Sequence, residues 1–395
     1  MSLEATPSGE RTKIGFFGCT NAGKSSVVNA ITGQDLSLVS SVSGTTTDPV
    51  KKAMELLPLG AVVIIDTPGL DDHSELGMAR IKRAMNLLPN IDIAVLVADA
   101  AKGVQQSDTE LISVFSKNKT PYIVAYNKCD LLGVVPNAND NEIYISATNG
   151  TNIFELKEKL AHLTKATPQR ELISDLIDEG DIIVLVTPID EAAPKGRLIL
   201  PQTQTIRAIL DKRAIAIVTQ DTQLEATLLS LSKKPRLVIT DSQVFGKVSE
   251  IVPSDIALTS FSMLFARFKG NLKVLANGAR AIEKLKDGDK VLISEGCTHH
   301  RQCNDIGTVK LPNLLKKYTQ KDIELEFTSG GDFPYDLDRF TMIIHCGGCM
   351  LTETEMMQRI NMANTADVPI TNYGTAIAYM NGILERAILP FEELL

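Results

Sequence analysis

"KIGFFGCTNAGKSSVVNAI" (Lys13–Ile31) is the stretch that decides the fold at the front of this chain. Its apolar start predicts a buried strand and its end predicts a helix. Between them, "GCTNAGKSS" (Gly18–Ser26) matches G-x-x-x-x-G-K-S/T. Glycines let the backbone wrap phosphate oxygens, and the helix N-terminus adds N–H groups that favour an anion. The stretch predicts a phosphate loop in which Lys24 reaches the β- and γ-phosphates and Ser25 ligates Mg²⁺.

A second motif identifies the base. "NKCD" (Asn127–Asp130) follows the strand-like run "PYIVAY" and resembles the guanine motif N-K-x-D. A carboxylate at Asp130 can accept hydrogen bonds from guanine N1–H and N2–H₂. Adenine lacks this donor pair and would leave the carboxylate unpaired, which costs about 1–3 kcal/mol. "ISAT" (Ile145–Thr148) resembles the loop that offers a further donor, here the Ala147 N–H. These motifs predict GTP as the nucleotide.

A third motif, "DTPG" (Asp66–Gly69), ends another apolar run and resembles D-x-x-G. Asp66 is predicted to hold Mg²⁺ through water, and the Gly69 N–H to sense the γ-phosphate. The predicted catalytic residues are Lys24, Asp66 and Gly69, and the predicted nucleotide-binding residues are Gly18, Asn21, Gly23, Lys24, Ser25, Ser26, Thr46, Asn127, Lys128, Asp130, Ser146 and Ala147.

"SGTTTD" (Ser43–Asp48) is similar to the G-T-T-x-D switch of TrmE–Era-type GTPases, with Thr46 as a Mg²⁺ ligand. Leu70 stands where many small GTPases have the Gln that orients the attacking water, so hydrolysis is expected to be slow or to use another device. In relatives of this type that device is often K⁺, which Asn21 would hold. Alternatively, Asn21 only forms a turn.

Two cysteine–histidine clusters follow apolar strand-like runs near the C-terminus. They are "CTHHRQC" (Cys297–Cys303) and "HCGGC" (His345–Cys349). If both strands belong to one parallel sheet, the clusters emerge at the same edge, where ligand sites gather. From the residues alone, three interpretations stay open: a closed zinc site, an iron–sulfur cluster, or buried free thiols with a core histidine. Asp305 is a further ligand on chemistry alone, or an ordinary solvated carboxylate.

Composition narrows the class of protein. The chain has 395 residues, a formal charge of -8 and six cysteines. Its acidity argues against a nucleic-acid partner, and its N-terminus "MSLEATPSGERTK" lacks an apolar signal region. No stretch is apolar enough to span a membrane, so we expect a cytoplasmic location. Four cysteines fall in the last hundred residues, which favours a metal site over a disulfide framework.

Strand-like and helical patterns alternate along the chain, so the predicted fold class is α/β with mostly parallel sheets. Breaks at Thr164–Arg170 and Ala266–Lys273 predict three domains, at residues 1–167, 168–267 and 268–395. The middle domain carries no phosphate loop and no acid–base pair. It is either a docking or oligomerisation module or a carrier of a small-molecule site without a visible signature.

Taken together, the chain resembles the [FeFe]-hydrogenase maturation GTPases, the HydF family, over essentially its whole length. The residues that carry the resemblance are Cys297, His299, His345, Cys346 and Cys349, with "LPQTQTIRAILD" (Leu200–Asp211) and "TNYGTAIAYMNGIL" (Thr371–Leu384). The resemblance implies a P-loop GTPase domain, a small α/β dimerisation domain and a C-terminal α/β iron–sulfur domain.

It further implies a [4Fe–4S] cluster on Cys297, Cys346 and Cys349, with His299 or His345 at an exchangeable fourth corner. Cys303 lies outside the family pattern and is interpreted as a bystander or an occasional substitute ligand. The implied role is a homodimeric carrier of a diiron precursor. Two radical-SAM maturases would build that precursor, and apo-[FeFe]-hydrogenase would receive it.

Two other functions compete with this interpretation. One is an RNA-modification or ribosome-assembly GTPase whose tail is stiffened by zinc, although such proteins usually carry basic surfaces. The other is a metal-storage or adaptor protein with a vestigial nucleotide site. The intact Lys24, Ser25, Asp66 and Asn127–Asp130 set argues against the second.

Overall fold

The structure is a computed structural model that describes residues 8–19, 21–33, 50–67, 87–165, 170–189, 198–296, 306–330 and 332–394. The chain divides into two compact units, Met1–Gln169 and Arg170–Leu395. Both units combine sheets with flanking helices, so the predicted α/β fold class is confirmed.

Six strands form one sheet in the first unit, in the order β2-β3-β1-β4-β5-β6, and β2 alone among them runs antiparallel. The strands are β1 (Thr12–Gly18), β2 (Val50–Leu56), β3 (Gly60–Asp66), β4 (Ile93–Asp99), β5 (Tyr122–Asn127) and β6 (Glu142–Tyr144). The described helices are α1 (Lys24–Thr32), α2 (Gln106–Lys117) and α3 (Ile153–Lys165), with short 3-10 helices at Ser8–Glu10, Leu88–Asn90 and Cys129–Leu131.

This sheet is buried on both faces. Along β1, Ile14 and Phe16 point into one apolar cluster with α1 and α3, whereas Phe17 points into the opposite cluster with α2. Helices on both faces are what parallel strands require, and they explain why these strands are apolar runs without alternation. The arrangement places the carboxyl end of β1 between those of β3 and β4.

Two four-stranded parallel sheets form the second unit, in the orders β10-β9-β7-β8 and β12-β11-β13-β14. The strands are β7 (Ile182–Val186), β8 (Ile215–Thr219), β9 (Leu237–Thr240), β10 (Ala257–Ser260), β11 (Lys290–Glu295), β12 (Glu324–Ser329), β13 (Met342–His345) and β14 (Ile370–Asn372). The described α-helices are α4 (Leu200–Asp211), α5 (Leu224–Ser230), α6 (Phe245–Ile251), α7 (Phe261–Lys269), α8 (Leu272–Arg280), α9 (Leu311–Thr319), α10 (Glu353–Thr365), α11 (Tyr373–Met380) and α12 (Leu384–Ile388). Shorter helical turns lie at Asp221–Gln223, Ser242–Val244, Ala281–Lys284, Ile306–Lys310, Leu337–Arg339 and Leu389–Leu394.

One hydrophobic cluster runs through both sheets of this unit. It joins Leu185 of β7, Leu264 of α7, Leu275 of α8 and Ile343 of β13, all almost fully buried. Helices α7 and α8 meet within this cluster, so the apolar core continues across the predicted break at Ala266–Lys273. The three domain boundaries themselves stay a prediction.

The third sheet has a topological switch point. Strand β11 lies in its middle, with β12 on one side and β13 on the other. In open parallel sheets, ligands bind outside the carboxyl ends of the two strands at which the chain changes direction. The chain after β11 leads to Cys297, and the chain after β13 begins with Cys346.

Several elements differ from the sequence-based expectation. Strands β2, β6, β10 and β14 were not predicted from the sequence, and β6, β10 and β14 have only three or four residues, too few to show a pattern. The run "ANGARAIEKL" (Ala276–Leu285) predicts a helix that starts at Ala276, whereas α8 starts four residues earlier, at Leu272. Within the described part of the chain, no helix combines the length and apolarity that crossing a bilayer needs.

Candidate functional site

The phosphate loop connects β1 to α1. The helix begins at Lys24 after Gly23, whose φ of 83° places it in the left-handed region. A Cβ at Gly23 would overlap the Asn127 side chain, so both conformation and space require glycine here. Because Gly23 has no side chain to cap the helix, the first N–H groups of α1 remain available for an anion.

Lys24 and Asp66 form a buried ion pair at the end of the sheet. Asp66 is the last residue of β3, and the following Thr67 is fixed by its hydroxyl, which donates to the Phe16 carbonyl at 2.6 Å. The pair brings together the two predicted ligands of the phosphates and of Mg²⁺. Ser25 and Ser26 lie beside them, exposed in the first turn of α1.

The guanine motif is tied directly to the phosphate loop. The buried Asn127 donates its side-chain N–H to the Ala22 carbonyl at 2.9 Å and accepts the Ala147 N–H at 3.1 Å. One side chain therefore joins the phosphate loop, the N-K-C-D loop and the S-A-T loop. Asp130 follows, with its side chain exposed, in the short 3-10 helix after β5.

Lys128 forms a second connection between the guanine motif and the phosphate loop. Its ammonium donates to the Asn21 carbonyl at 2.7 Å and to Asp99 at 2.7 Å. The hydrogen bond from Lys128 lowers the pKa of Asp99 below its ordinary value, against an opposing effect of burial. Asn21 itself has φ 69°, a left-handed conformation that asparagine tolerates in turns.

Most of the predicted nucleotide residues are thus brought together. They are Gly18, Asn21, Gly23, Lys24, Ser25, Ser26, Asp66, Asn127, Lys128, Asp130 and Ala147. Ser146 is buried, and its hydroxyl accepts the Asn149 N–H at 3.4 Å, so it shapes the loop. Thr46, Gly69 and Leu70 lie outside the described residues, and their roles stay predictions.

At the other end of the chain, the cysteine loop (Cys346–Leu351) follows β13. Its first residue continues the sheet, because the Cys346 N–H donates to the Ser294 carbonyl at 2.8 Å. The Cys346 sulfur accepts the Gly296 N–H at 3.1 Å and the Gly348 N–H at 3.4 Å. The thiol therefore lies at the switch point, bonded to the residue that precedes Cys297.

Burial dominates the acid–base behaviour of both described cysteines of this loop. It raises the pKa of the Cys346 thiol to about 11, an effect that the two glycine N–H groups oppose. It also raises the pKa of Cys349, opposed by the positive charge of Lys269. Without a metal both groups stay protonated at neutral pH, so a thiolate here requires an ion that replaces the proton.

His345 is fully buried beside the cysteine loop. Its Nδ1 lies 2.8 Å from the Cys346 carbonyl, and its Nε2 lies 2.8 Å from Arg359 Nη1. Burial, with the nearby Arg359 charge, lowers its pKa to about 3, so the ring is neutral. Both nitrogens have protein partners, so metal ligation by His345 would require one contact to break. The exchangeable-ligand role of His345 stays a prediction.

The helix after the cysteine loop begins later than expected. The run "TETEMMQRI" (Thr352–Ile360) predicts a helix that Cys349 opens, but α10 starts at Glu353. Thr352 is its N-cap, and the reciprocal bonds between Thr352 and Glu355 form a capping box. Cys349 therefore lies in the loop, four residues before the first helical residue. The T-x-x-E pattern of Thr352 and Glu355 is the sequence signal that would have located this start, and it was not used.

Two functional neighbours carried no sequence signal. Arg359 lies in the middle of α10, and Lys269 is the last residue of α7. Lys269 donates to the carbonyls of Cys349 and Leu351 at 2.9 and 2.8 Å. Their positions follow from tertiary packing, which a single sequence does not display.

The remaining predicted ligands, Cys297, His299 and Asp305, lie outside the described residues, as does Cys303. Among the residues that are described, no three His, Cys, Asp or Glu side chains group as a metal site. The donor chemistry that is described, two cysteines and backbone N–H groups aimed at a sulfur, fits an iron–sulfur cluster, whose sulfurs accept such bonds.

A phosphate loop tied to a guanine motif, followed by an α/β unit with a cysteine loop, defines a P-loop GTPase with an appended cysteine-bearing unit. A family model described as 50S ribosome-binding GTPase matches residues 13–128. Models described as hydrogen maturase F dimerization and tetramerization domains match residues 172–270 and 273–390. The two maturase models together match more than half of the chain, which therefore belongs to the hydrogen maturase F family.

The GTPase part has curated relatives. The chain is 32% identical over 179 residues to GTPase Der of Kosmotoga olearia, covering 40% of each protein. It is 34% identical over 247 residues to the tRNA modification GTPase MnmE of Legionella pneumophila, covering 60% of this chain and 50% of that protein. The chain thus spans half or less of these relatives' length. A crystal structure of a probable GTP-binding protein engB is 25% identical, with a TM-score of 0.32, over 39% of this chain and 99% of that chain.

These matches confirm the resemblance to the maturation GTPases and the N-terminal P-loop GTPase domain. They support GTP and Mg²⁺ as ligands of that domain, and oligomerisation through the regions that follow it. The cluster, K⁺ and the partner proteins stay predictions.

Proposed function

We propose that this hydrogenase maturation GTPase is a scaffold that binds a [4Fe–4S] cluster through Cys297, Cys346 and Cys349. It would hold the diiron precursor of the [FeFe]-hydrogenase active site beside that cluster and deliver it to apo-hydrogenase. When bound, the cluster would supply an iron with an exchangeable fourth ligand, for which His299, His345 and Asp305 are the proposed residues. The family membership supports the role, and the cysteine loop supports the location.

The observation that carries this proposal is the hydrogen bond from the Gly296 N–H to the Cys346 sulfur, at 3.1 Å. Cys346 and Cys297 are far apart in sequence, yet this bond joins the carboxyl ends of the two strands that precede them. A ligand set drawn from both loops therefore needs no rearrangement of the sheet. Gly348, with φ 63°, lets the loop turn so that its N–H also faces the sulfur.

GTP would act as the switch. Lys24 and Asp66 pair with each other, and Mg²⁺–GTP offers each a new partner, the γ-phosphate for Lys24 and the hydrated metal for Asp66. Water would then attack the γ-phosphorus, the bond to the β-phosphate oxygen would break, and GDP and phosphate would leave. We expect slow, K⁺-stimulated hydrolysis with Asn21 as a K⁺ ligand, and movement near Thr46 and Gly69 would alter partner affinity.

The proposed partners are two radical-SAM maturases, apo-[FeFe]-hydrogenase and a second copy of the chain. For the last, β8 is the edge strand of its sheet, and its Ile215 and Val218 side chains are about half exposed. Leu229 of the neighbouring α5 is 82% exposed. Among the described strands this apolar edge has no further strand beside it, and such an edge is a surface that a second copy can extend.

The test is iron and acid-labile sulfide analysis of anaerobically purified chain, with EPR after reduction. We expect about four irons and four sulfides per chain and a reduced-cluster signal. The Cys297→Ala, Cys346→Ala double variant should lose both while hydrolysing GTP at nearly the original rate. Cys303→Ser is the matched control, because Cys303 is outside the proposed ligand set, and it should retain the cluster.

The opposite outcomes are equally clear. One zinc and no sulfide per chain would overturn the proposed cluster. It would favour an RNA-modification or ribosome-assembly GTPase whose C-terminal region is stabilised by zinc. Loss of GTP hydrolysis in the double cysteine variant would contradict the separation of the two sites. Exchange of K⁺ for Na⁺ should slow hydrolysis, and an unchanged rate would remove the role given to Asn21.

A further inference from the structure

Two positively charged side chains are buried under the cysteine loop. Arg359 is 6% exposed and Lys269 is 4% exposed. They come from different elements, because Arg359 lies on α10 and Lys269 ends α7. A buried cation is strongly unfavourable unless hydrogen bonds and an opposite charge compensate it. Two such cations, each with several hydrogen bonds, lie against one loop.

Arg359 connects the carboxyl ends of three strands. Its guanidinium donates to the Gly330 carbonyl after β12 at 2.7 Å, contacts the Ser294 hydroxyl of β11 at 3.5 Å and lies 2.8 Å from His345 Nε2 of β13. The Phe333 ring lies 5.0 Å away and covers the guanidinium. Across the described residues, its hydrogen-bond acceptors are all neutral. These contacts fix its position, and the Glu355 carboxylate one helical turn earlier supplies an opposite charge that opposes the lowering of the Arg359 pKa by burial.

Lys269 holds the other end of the loop. Its ammonium donates to the carbonyls of Cys349 and Leu351, and it lies 5.9 Å from the centre of the Phe265 ring. The Leu351 N–H in turn donates to the Gly348 carbonyl at 3.0 Å, which closes the turn. Lys269 belongs to the region matched by the dimerization model, whereas the loop belongs to the region matched by the tetramerization model.

An anionic group at the cysteine loop would be attracted by both cations. Three thiolates around a [4Fe–4S]²⁺ core carry a net charge of −1, and addition of one electron makes it −2. Charge and hydrogen bonding around a cluster set its reduction potential, because a nearby cation stabilises the more negative state. In a buried site this attraction is only weakly screened by salt.

We propose that Lys269 and Arg359 are positioning residues for the cysteine loop and the counter-charges of the iron–sulfur group that it carries. This inference rests on the proposed function, since it assumes a cluster at Cys346 and Cys349. It adds that the loop is held from two sides, and that the cluster is more easily reduced than it would be without the two cations.

The first experiment is an EPR-monitored redox titration of the full chain with dithionite as reductant, after anaerobic reconstitution with iron and sulfide. The variants are Arg359→Met and Lys269→Met, which remove charge, and Arg359→Lys, which keeps it. Lys273→Met, at an exposed lysine of the next helix, is the matched control. Iron and sulfide are measured in every sample, so that only fully loaded protein is compared.

For each charge-removing variant we expect the reduced-to-oxidised ratio at a fixed solution potential to fall about tenfold, which is about 59 mV for a one-electron couple. Arg359→Lys and Lys273→Met should stay within about twofold of the parent chain. Fully loaded Met variants with the parental ratio would overturn the inference while leaving the proposed function intact. A parent chain without iron and sulfide would overturn both.

A second measurement uses the metal-free chain and serves if Arg359→Met does not fold. Hydrogen exchange of the amides at Gly348 and Leu351 reports loop opening directly. Lys269→Met should speed their exchange about tenfold, while the β11 amides and the Lys273→Met control stay unchanged. Equal exchange in Lys269→Met and the parent chain would refute the positioning role of Lys269.

Discussion

The helices beside the two sites differ at their N-termini. Helix α1 of the nucleotide site has no side-chain cap, whereas helix α10, which follows the cysteine loop, has one. Helix α1 follows Gly23, which has no side chain to accept its first N–H groups. Helix α10 follows Thr352, whose hydroxyl accepts the Glu355 N–H at 3.3 Å while the Glu355 carboxylate accepts the Thr352 N–H at 2.8 Å. The first terminus is left open for an anionic ligand, and the second is satisfied by the chain.

The difference lies in where each site obtains its positive charge. At the nucleotide site, backbone N–H groups and Lys24 are presented by one continuous stretch of sequence. At the cysteine loop the helix terminus is already used, and the positive charges beside the loop belong to Lys269 and Arg359, which lie far away in sequence. Loss of a local motif and loss of a distant cation should therefore have separable effects.

The largest expected effect is at the base of the nucleotide. Asp130→Asn replaces a charged acceptor of two hydrogen bonds with an amide, and each such bond contributes about 1.5–3 kcal/mol. GTP affinity should fall by at least about 100-fold, as measured by isothermal titration calorimetry with Mg²⁺ present. Cluster content should not change, because Asp130 belongs to the other unit.

Xanthosine triphosphate provides the control for that variant. Xanthine carries a carbonyl oxygen where guanine carries the N2 amino group, so the new amide N–H has an acceptor. Asp130→Asn should bind this nucleotide more tightly than the parent chain does. Equal GTP affinity before and after the substitution would refute the assignment of guanine to Asp130.

The sequence predicted these two sites to different depths, for a physical reason. The Gly18–Ser26 loop, Asn127 and Asp130 act through local backbone conformation and fixed spacing, so the motif contains most of the geometry. The buried contacts of Asn127 to Ala22 and Ala147 then follow. Most of the geometry of the nucleotide site can therefore be predicted from its sequence motifs.

The cysteine loop was predicted only in part. The spacing in "HCGGC" identified Cys346 and Cys349, and strand-end placement indicated a shared sheet edge. Lys269 and Arg359 were missed because each is an ordinary cation on an amphipathic helix until packing brings it to the loop. Strand β14 was missed because three residues carry no measurable periodicity.

The next largest effects are expected at two glycines with left-handed backbone conformations, Gly23 at the nucleotide site and Gly348 at the cysteine loop. Gly23→Ala adds about 1–2 kcal/mol of backbone strain and a Cβ that overlaps Asn127, the side chain that joins three loops. We expect GTP affinity to fall roughly 10- to 100-fold, as measured by the same calorimetry. Gly348→Ala adds the same backbone strain and a milder contact, because its Cβ would lie 3.3 Å from Met356 Sδ, a flexible side-chain atom that must shift only slightly.

Gly348→Ala should therefore lower the free energy of unfolding by about 1–2 kcal/mol and leave the GTP affinity unchanged. Gly347→Ala is the matched control, because nothing lies within 4 Å of a Cβ there and its φ is not positive. Differential scanning calorimetry measures the stability of both. A similar stability loss in Gly347→Ala would show that the loop resists any added side chain, whatever its backbone conformation.

A smaller effect is expected at the capped helix. Thr352→Ala removes one half of the capping box and leaves the Glu355 N–H without its acceptor, which costs about 1 kcal/mol. Thr365→Ala, at an exposed threonine near the other end of α10, is the matched control. Calorimetry should show a loss in the first variant alone. Equal losses would mean that the N-cap hydrogen bond contributes no more than any other threonine contact of α10, since the higher helix propensity of alanine favours stability at both positions.

The smallest effect belongs to the Lys128–Asp99 pair. Lys128 is 32% exposed and Asp99 15%, so solvent limits the contribution to less than about 1 kcal/mol. The pKa of Asp99 is lowered in the folded chain, first by the Lys128 hydrogen bond. The stabilisation of the folded chain by ionised Asp99 is therefore complete above the pKa of an unfolded aspartate, about 3.9. It disappears as the pH falls through the lower pKa of Asp99 in the folded chain.

Asp99→Asn should thus be slightly less stable than the parent chain at pH 7, and the difference should vanish in acid. Calorimetry at both pH values, repeated in a Lys128→Met background, isolates the pair, because Lys128 also holds the Asn21 carbonyl. A difference that persists below the folded pKa would assign the loss to shape and not to charge. In that case Lys128 and Asp99 would stabilise the fold through the backbone that they hold in place. Lys269 makes contacts of the same kind with the Cys349 and Leu351 carbonyls.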